Sequence, residues 1–226
     1  MTNHHLFRIY SSVALLCIAM IGYGQAFEAL PYEFGFEDTE SPELSKWVLN
    51  PGMGMYDTDS LIDQWCVGEA LRSSGDKGLY MSNSGGLNSD VGKRYLFIKM
   101  TGEIELIIGN PKYVQFAYRD FVLPTGNYYV CFDYISPNMQ LAAGYVTFIQ
   151  PPTAQSNKVT LQRGTDVLPA VNPTIGPVTG AETWNTANFN LNVTQPSNGE
   201  VRYVRLWFAW LNSEADSIQQ GISGAI

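Results

Sequence analysis

Residues 114–136 read VQFAYRDFVLPTGNYYVCFDYIS. Two runs rich in Val, Tyr and Phe flank a Pro-Thr-Gly turn, the composition of two extended strands joined by a turn. In the second run Val130, Phe132 and Tyr134 fall on one side, and Cys131, Asp133 and Ile135 on the other. That period is two, the spacing of side chains on a strand and not on a helix.

The same grammar recurs along the chain. Short segments rich in Val, Ile, Tyr, Phe and Trp, bounded by Gly, Pro, Asn and Asp, predict strands near 30–37, 64–68, 77–82, 95–99 and 104–108. Further strands are predicted near 113–121, 127–135, 144–150, 158–161, 187–193 and 201–211. YVRLWFAWL (203–211) is apolar on both faces apart from Arg205, so it reads as a central strand covered on both sides. The best helical candidate is SPELSKWVLN (41–50), with Ser41 as cap, Pro42 in the first turn and Pro51-Gly52 as its stop. Residues 150–183 are rich in Pro, Gly, Thr and Asn and read as a surface excursion within one domain. The expectation is an all-β, antiparallel, two-sheet sandwich in a single domain over 27–226.

The first 26 residues read as a secretory leader. Arg8 lies in a short polar start, VALLCIAMI (13–21) is an apolar run, and Gly24 and Ala26 are the small residues of a cut after Ala26. The apolar run is shorter than a membrane span requires. Removing residues 1–26 takes one basic residue of 13 and none of 21 acids, so the balance moves from −8 to 12 − 21 = −9. An acidic chain with scattered cations is no match for nucleic acid. Both histidines, His4 and His5, leave with the leader, which excludes Ser-His-Asp triads, Cys-His pairs and His-ligated zinc from the mature chain. Cys66 and Cys131 remain. Export permits a disulfide between them; two thiols packed as small apolar residues in neighbouring strands is the other reading.

The order of motifs carries a family resemblance. LPYEFGFEDTE (30–40) is followed by WCVGEALRSSGDKGLYMSNSGG (65–86), then by VQFAYRDFVLPTGNYYVCFDYIS (114–136), YVTFIQPPT, TWNTANFNLNV and RLWFAWLNS. This resembles the jelly-roll modules of secreted Bacteroidetes proteins described as cleaved-adhesin or choice-of-anchor J domains. They are similar in architecture to MAM and carbohydrate-binding β-sandwich domains. The resemblance implies a jelly roll whose final strand, of the form A-I-D-N-I, lies beside the strand around Phe36–Asp38. Since this sequence stops at GISGAI, it implies a sandwich missing its last strand, an edge strand at 30–37, and further domains beyond the C-terminus.

The resemblance also implies where ligands sit. Related modules hold a structural calcium with acids such as Glu37 or Asp38, and calcium prefers several hard oxygen ligands on a turn. The alternative is a solvated acidic loop. Tyr56, in GMGMYDTD, and Trp184, in AETWNTA, are the aromatics placed to contact a ligand, although Trp184 also suits a cap over the sandwich end. AYRD (117–120) reads as a structural polar contact, and Asp133 as the partner of Arg119 or Arg205. The functional expectation is a non-catalytic extracellular binding or adhesion module for a glycan or protein surface, with no cofactor beyond a structural calcium. A carbohydrate-binding accessory module is the alternative. A carboxylate-only glycosidase using a pair such as Asp120/Asp133 is the third reading.

Overall fold

The computed structural model of the chain describes residues 7–11, 27–51, 63–82, 84–91, 97–98, 104–105, 113–137, 140–152, 173–194, 202–212, 221–222 and 224–226. In chain order the first strands are β1 (Phe7–Ser11), β2 (Tyr32–Phe34), β3 (Trp47–Leu49), β4 (Gln64–Gly68), β5 (Gly78–Ser82), β6 (Asp90–Val91), β7 (Phe97–Ile98) and β8 (Ile104–Glu105). They are followed by β9 (Tyr113–Leu123), β10 (Gly126–Ser136), β11 (Gln140–Phe148), β12 (Ile175–Val178), β13 (Ala181–Val193), β14 (Arg202–Asn212) and β15 (Gly221–Ile222). No helix among the described residues is long and apolar enough to cross a membrane.

The expected all-β, antiparallel sandwich is what the chain forms. One sheet runs β13-β10-β1-β2 and the other β12-β11-β14-β9-β3. The PTG turn leads β9 into one sheet and β10 into the other, and the Tyr128 hydroxyl closes it by donating to the Pro124 carbonyl at 2.7 Å. Alternation then does the work. Val130 and Phe132 of β10, with Phe189 and Leu191 of β13, meet Val204, Leu206 and Phe208 of β14 in one core. Rings bridge the layers: Phe132 lies edge-on to Phe208 at 5.0 Å and Tyr32 edge-on to Phe121 at 5.2 Å. Burying each such side chain stabilises the fold by roughly 1.5–3 kcal/mol. β14 is covered on both sides, as its composition requires. Its opposite face carries Trp207 and Ala209 into a second cluster with Phe116, Tyr118 and Ala142.

Two local expectations are corrected. The helix expected over 41–50 shrinks to a single 3-10 turn, Leu44–Lys46, followed at once by β3. Trp47 is buried and stacks on Phe208 at 6.1 Å while Val48 faces outward, so burial with a period of two overrides helical capping. The excursion at 150–183 contributes β12, which pairs with β11 through Leu141 and Ala143. The strand expected at 158–161 lies outside the described residues.

The lane beside β10 has an unusual composition. Along its lower part β1, from the expected leader, sits between β10 and β2, with Arg8 opposite Cys131 and Glu33. Along its upper part Ala225 pairs with Ile135 in both directions, at 3.0 and 3.1 Å, and bridges Tyr80 on its other side. Two short pieces from opposite ends of the chain therefore share one strand's place, both antiparallel to β10. β2 stands at the end of its sheet, with β1 as its neighbour.

Candidate functional site

The loop between β4 and β5 is organised around an acid from elsewhere in the chain. Glu37 Oε2 accepts the backbone amides of Asp76 at 2.8 Å and Lys77 at 3.2 Å. Arg72 donates to the carbonyls of Gly75 and Glu69. Gly75 has φ +69°, and a Cβ there would fall 1.7 Å from Glu37 Oε1, so only glycine suits the position. Glu37, expected as a calcium ligand, thus has its Oε2 held by two backbone N–H donors. Asp38 Oδ1 caps its own turn, accepting the amide of Glu40 at 3.0 Å. Among the described residues no three His, Cys, Asp or Glu side chains cluster in a way that would hold a metal ion. Within the acidic run Glu37 therefore braces the β4–β5 loop and Asp38 caps its own turn.

The two cysteines are not bridged. Cys66 belongs to β4, which pairs with β5, whereas Cys131 belongs to β10 in the four-stranded sheet. Cys66 packs instead on the cluster of Tyr80, Ile135 and Ala225, and burial pushes its thiol up to about 11. Trp184 packs against the same cluster, half-buried, which makes it a cap over the sandwich end. Tyr56 lies outside the described residues.

AYRD does hold polar contacts. Arg119 is fully buried, its guanidinium 4.2 Å from the ring centres of both Tyr32 and Phe121, and it bonds Glu28 at 2.9 Å and Glu43 at 2.7 Å. Arg205 makes a two-pronged contact with Asp120, both bonds 2.7 Å, over the ring of Tyr118. The expected pairing of Asp133 with one of these arginines is corrected accordingly. Asp133 Oδ1 accepts the hydroxyl of Thr186 at 2.7 Å and Oδ2 that of Ser73 at 3.1 Å. Asp120 and Asp133 lie on the outer faces of different sheets, so they cannot flank one bond.

The outward face of β10 and β13 is the site that residue-by-residue scanning overlooked. Opposite pairs there are Asn127 and Asn192, Tyr129 and Asn190, Cys131 and Asn188, Asp133 and Thr186. Asn188, Asn190 and Asn192 are all exposed, while Phe189, Leu191 and Val193 between them are buried. Tyr129 presents its ring at 36% exposure. Asn192 donates to Asn127 Oδ1 at 2.5 Å. Paired positions are about 5 Å apart across the strands and alternate ones about 7 Å along them. Asn is depleted in strands, where a solvated face ordinarily takes Thr or other β-formers. A run of asparagines at successive outward positions goes against that local preference, and such departures gather at functional surfaces. The signal was visible in TANFNLNV (186–193), whose polar phase is all amide and hydroxyl.

Two concavities flank this face. A cavity of about 30 Å³ lies between Phe34, Phe36, Ser73, Lys77 and Asp133, with room for little beyond water. An open groove runs along the β12–β13 connection, with Tyr134, Glu182, Thr183 and Asn185 among its lining. No family model matches the chain, and no curated protein or solved structure matches it.

Proposed function

We propose that this chain is a non-catalytic extracellular binding module of adhesin-like, jelly-roll type, which holds its ligand against a rigid sheet face. The observation that carries this reading is the outward face of β10 and β13. Its scaffold side is a continuous apolar core, and its solvent side is a patterned set of four amides, the Thr186 hydroxyl, the Tyr129 phenol, the Cys131 thiol and the Asp133 carboxylate. A rigid layer displaying adaptable hydrogen-bonding groups recognises a ligand without changing it. Cleavage after Ala26, which this reading includes, removes His4 and His5 and with them any imidazole for acid-base work.

The test is binding followed by recovery of the ligand. Purified protein is passed over immobilised extracellular polysaccharides and surface proteins, and the bound material is eluted and sized. Saturable binding with ligand of unchanged length supports the module. Shortening of the ligand that disappears on replacing a single carboxylate would replace this reading with the glycosidase one.

A further inference from the structure

We propose that the outward face of β10 and β13 is a subsite for an uncharged polysaccharide strand, with a sugar ring stacked on Tyr129 and its hydroxyls bonded by Asn127, Asn188 and Asn190. The inference rests on the binding-module reading and names its ligand class.

Three observations select this occupant. Side-chain amides carry both a donor and an acceptor, so they match a hydroxyl, which does the same, better than they match a phosphate or a carboxylate. On β10 and β13 these amides are arrayed from Asn127 and Asn192 at one end to Asn188 beside Cys131. Next, the charge on the face is right for a neutral ligand. From 127 to 133 on β10 and from 186 to 192 on β13 no outward position is basic, and the carboxylate among them, Asp133, accepts hydroxyls from Thr186 and Ser73; in the next lane Arg8 lies opposite both Cys131 and Glu33, one charge of each sign. An anionic polymer would need cations there. Third, Tyr129 presents an exposed ring on this face, flanked across the strand by an amide at Asn190. A ring edged by amides gives an apolar surface for a pyranose face and polar groups for its rim.

The face also has a defined end. Thr186 and Asp133 are tied to Ser73 of the β4–β5 loop, so that loop closes the face at one side, and Asn127 with Asn192 closes the other. The amides between them, Asn188 and Asn190, are exposed along the strand and open to a ligand.

Affinity electrophoresis of the purified protein in gels containing neutral polysaccharides (xylan, mannan, mixed-linkage glucan) or acidic ones (alginate, polygalacturonate) tests this. Retardation by at least one neutral polymer is expected, with affinity changing less than about twofold between low and high salt, since no ion pairs form. Tyr129→Ala and the double variant Asn188→Thr/Asn190→Thr should each weaken retardation at least tenfold while leaving the melting temperature within about 2 °C. Trp184→Ala should leave the affinity unaltered once the variant is shown to be folded. Binding restricted to acidic polymers and abolished by salt overturns the proposal, as does neutral-glycan binding indifferent to Tyr129. If no polysaccharide binds and a surface protein does, this inference falls while the binding-module reading stands.

Discussion

Asn50 shows how much one side chain can organise. Its backbone adopts φ +53°, a left-handed conformation that Asn tolerates better than most residues. Its side chain then imitates a strand: Nδ2 donates to the Trp65 carbonyl at 2.9 Å, and Oδ1 accepts the Trp65 amide at 2.7 Å. Trp65 is thereby held so that its indole N–H donates to the Gln115 carbonyl at 3.0 Å, tying β4 to β9. Asn50→Ala is expected to cost about 2–4 kcal/mol, from two hydrogen bonds worth ~1 kcal/mol each and a left-handed backbone that alanine disfavours by about 1 kcal/mol more. Asn50→Gly removes the bonds and relieves the backbone, so it should cost less than Asn50→Ala. Urea denaturation of both variants checks the order. Equal losses would show that the backbone conformation carries no strain, and a negligible loss in both would show that the clamp on Trp65 is idle.

At the scale of elements, the shared lane beside β10 makes a prediction with a register in it. In an antiparallel pair the partner numbers keep a constant sum. Ala225 opposite Ile135 gives 360, so a chain continuing past Ile226 would set its third further residue opposite Cys131, where Arg8 lies. Deleting residues 1–26 removes β1 from between β10 and β2. It should lower the melting temperature by on the order of 5 °C or more, because β2 loses the strand that joins it to its sheet. Appending one residue and then the sequence of Phe7–Ser11 after Ile226 should restore most of that loss. Appending two residues before the same strand turns its side chains to the other face, and should not. Thermal melts of the four proteins decide the matter; indifference to the linker length would mean that no strand enters the lane in this register. The same lane explains what the sequence could and could not disclose. Strands with strict alternation, such as those at 127–135 and 187–193, were legible because one face is core. The segment 41–50 misled because its Ser-Pro start resembles a helix N-terminus while the burial of Trp47 is set by Phe208, far along the chain. β12 and the role of Glu37 were illegible for the same reason: both depend on a partner outside their own segment. Of the site, the amides of TANFNLNV were on the page as letters, yet their assembly with Tyr129 and Asp133 required the β10–β13 register.

The molecule as a whole should respond to pH at both ends, for opposite reasons. Burial alone would raise the Glu43 carboxyl, but the Lys46 ammonium and the Arg119 guanidinium outweigh it and hold the group below its ordinary value near 4.5. The folded state then binds that proton less tightly than the unfolded state. The contribution of Glu43 is complete above about pH 4.5 and is lost as pH falls through its lowered value. Cys66 and Tyr32 have the reverse sign. Burial lifts the Cys66 thiol from 9.0 to about 11, and lifts the Tyr32 phenol from 10.0 to about 12 against the pull of Arg119. Their contributions are complete below those ordinary values and are lost as pH rises toward the raised ones. Self-repulsion in a chain that is already acidic adds to the alkaline loss. Urea midpoints measured from pH 3 to 11.5 should show a plateau between about 5 and 9 with a fall on each side. Between pH 9 and 10 Cys66 is ahead of Tyr32, so Cys66→Ala should flatten the curve there whatever its effect at neutrality. Glu43→Gln should flatten the acid side below about 4.5 in the same way. An alkaline fall that begins at pH 9 with unchanged slope in Cys66→Ala would transfer that limb to other groups. It would also mean that the thiol against Tyr80 and Ala225 is open enough to water to ionise without cost.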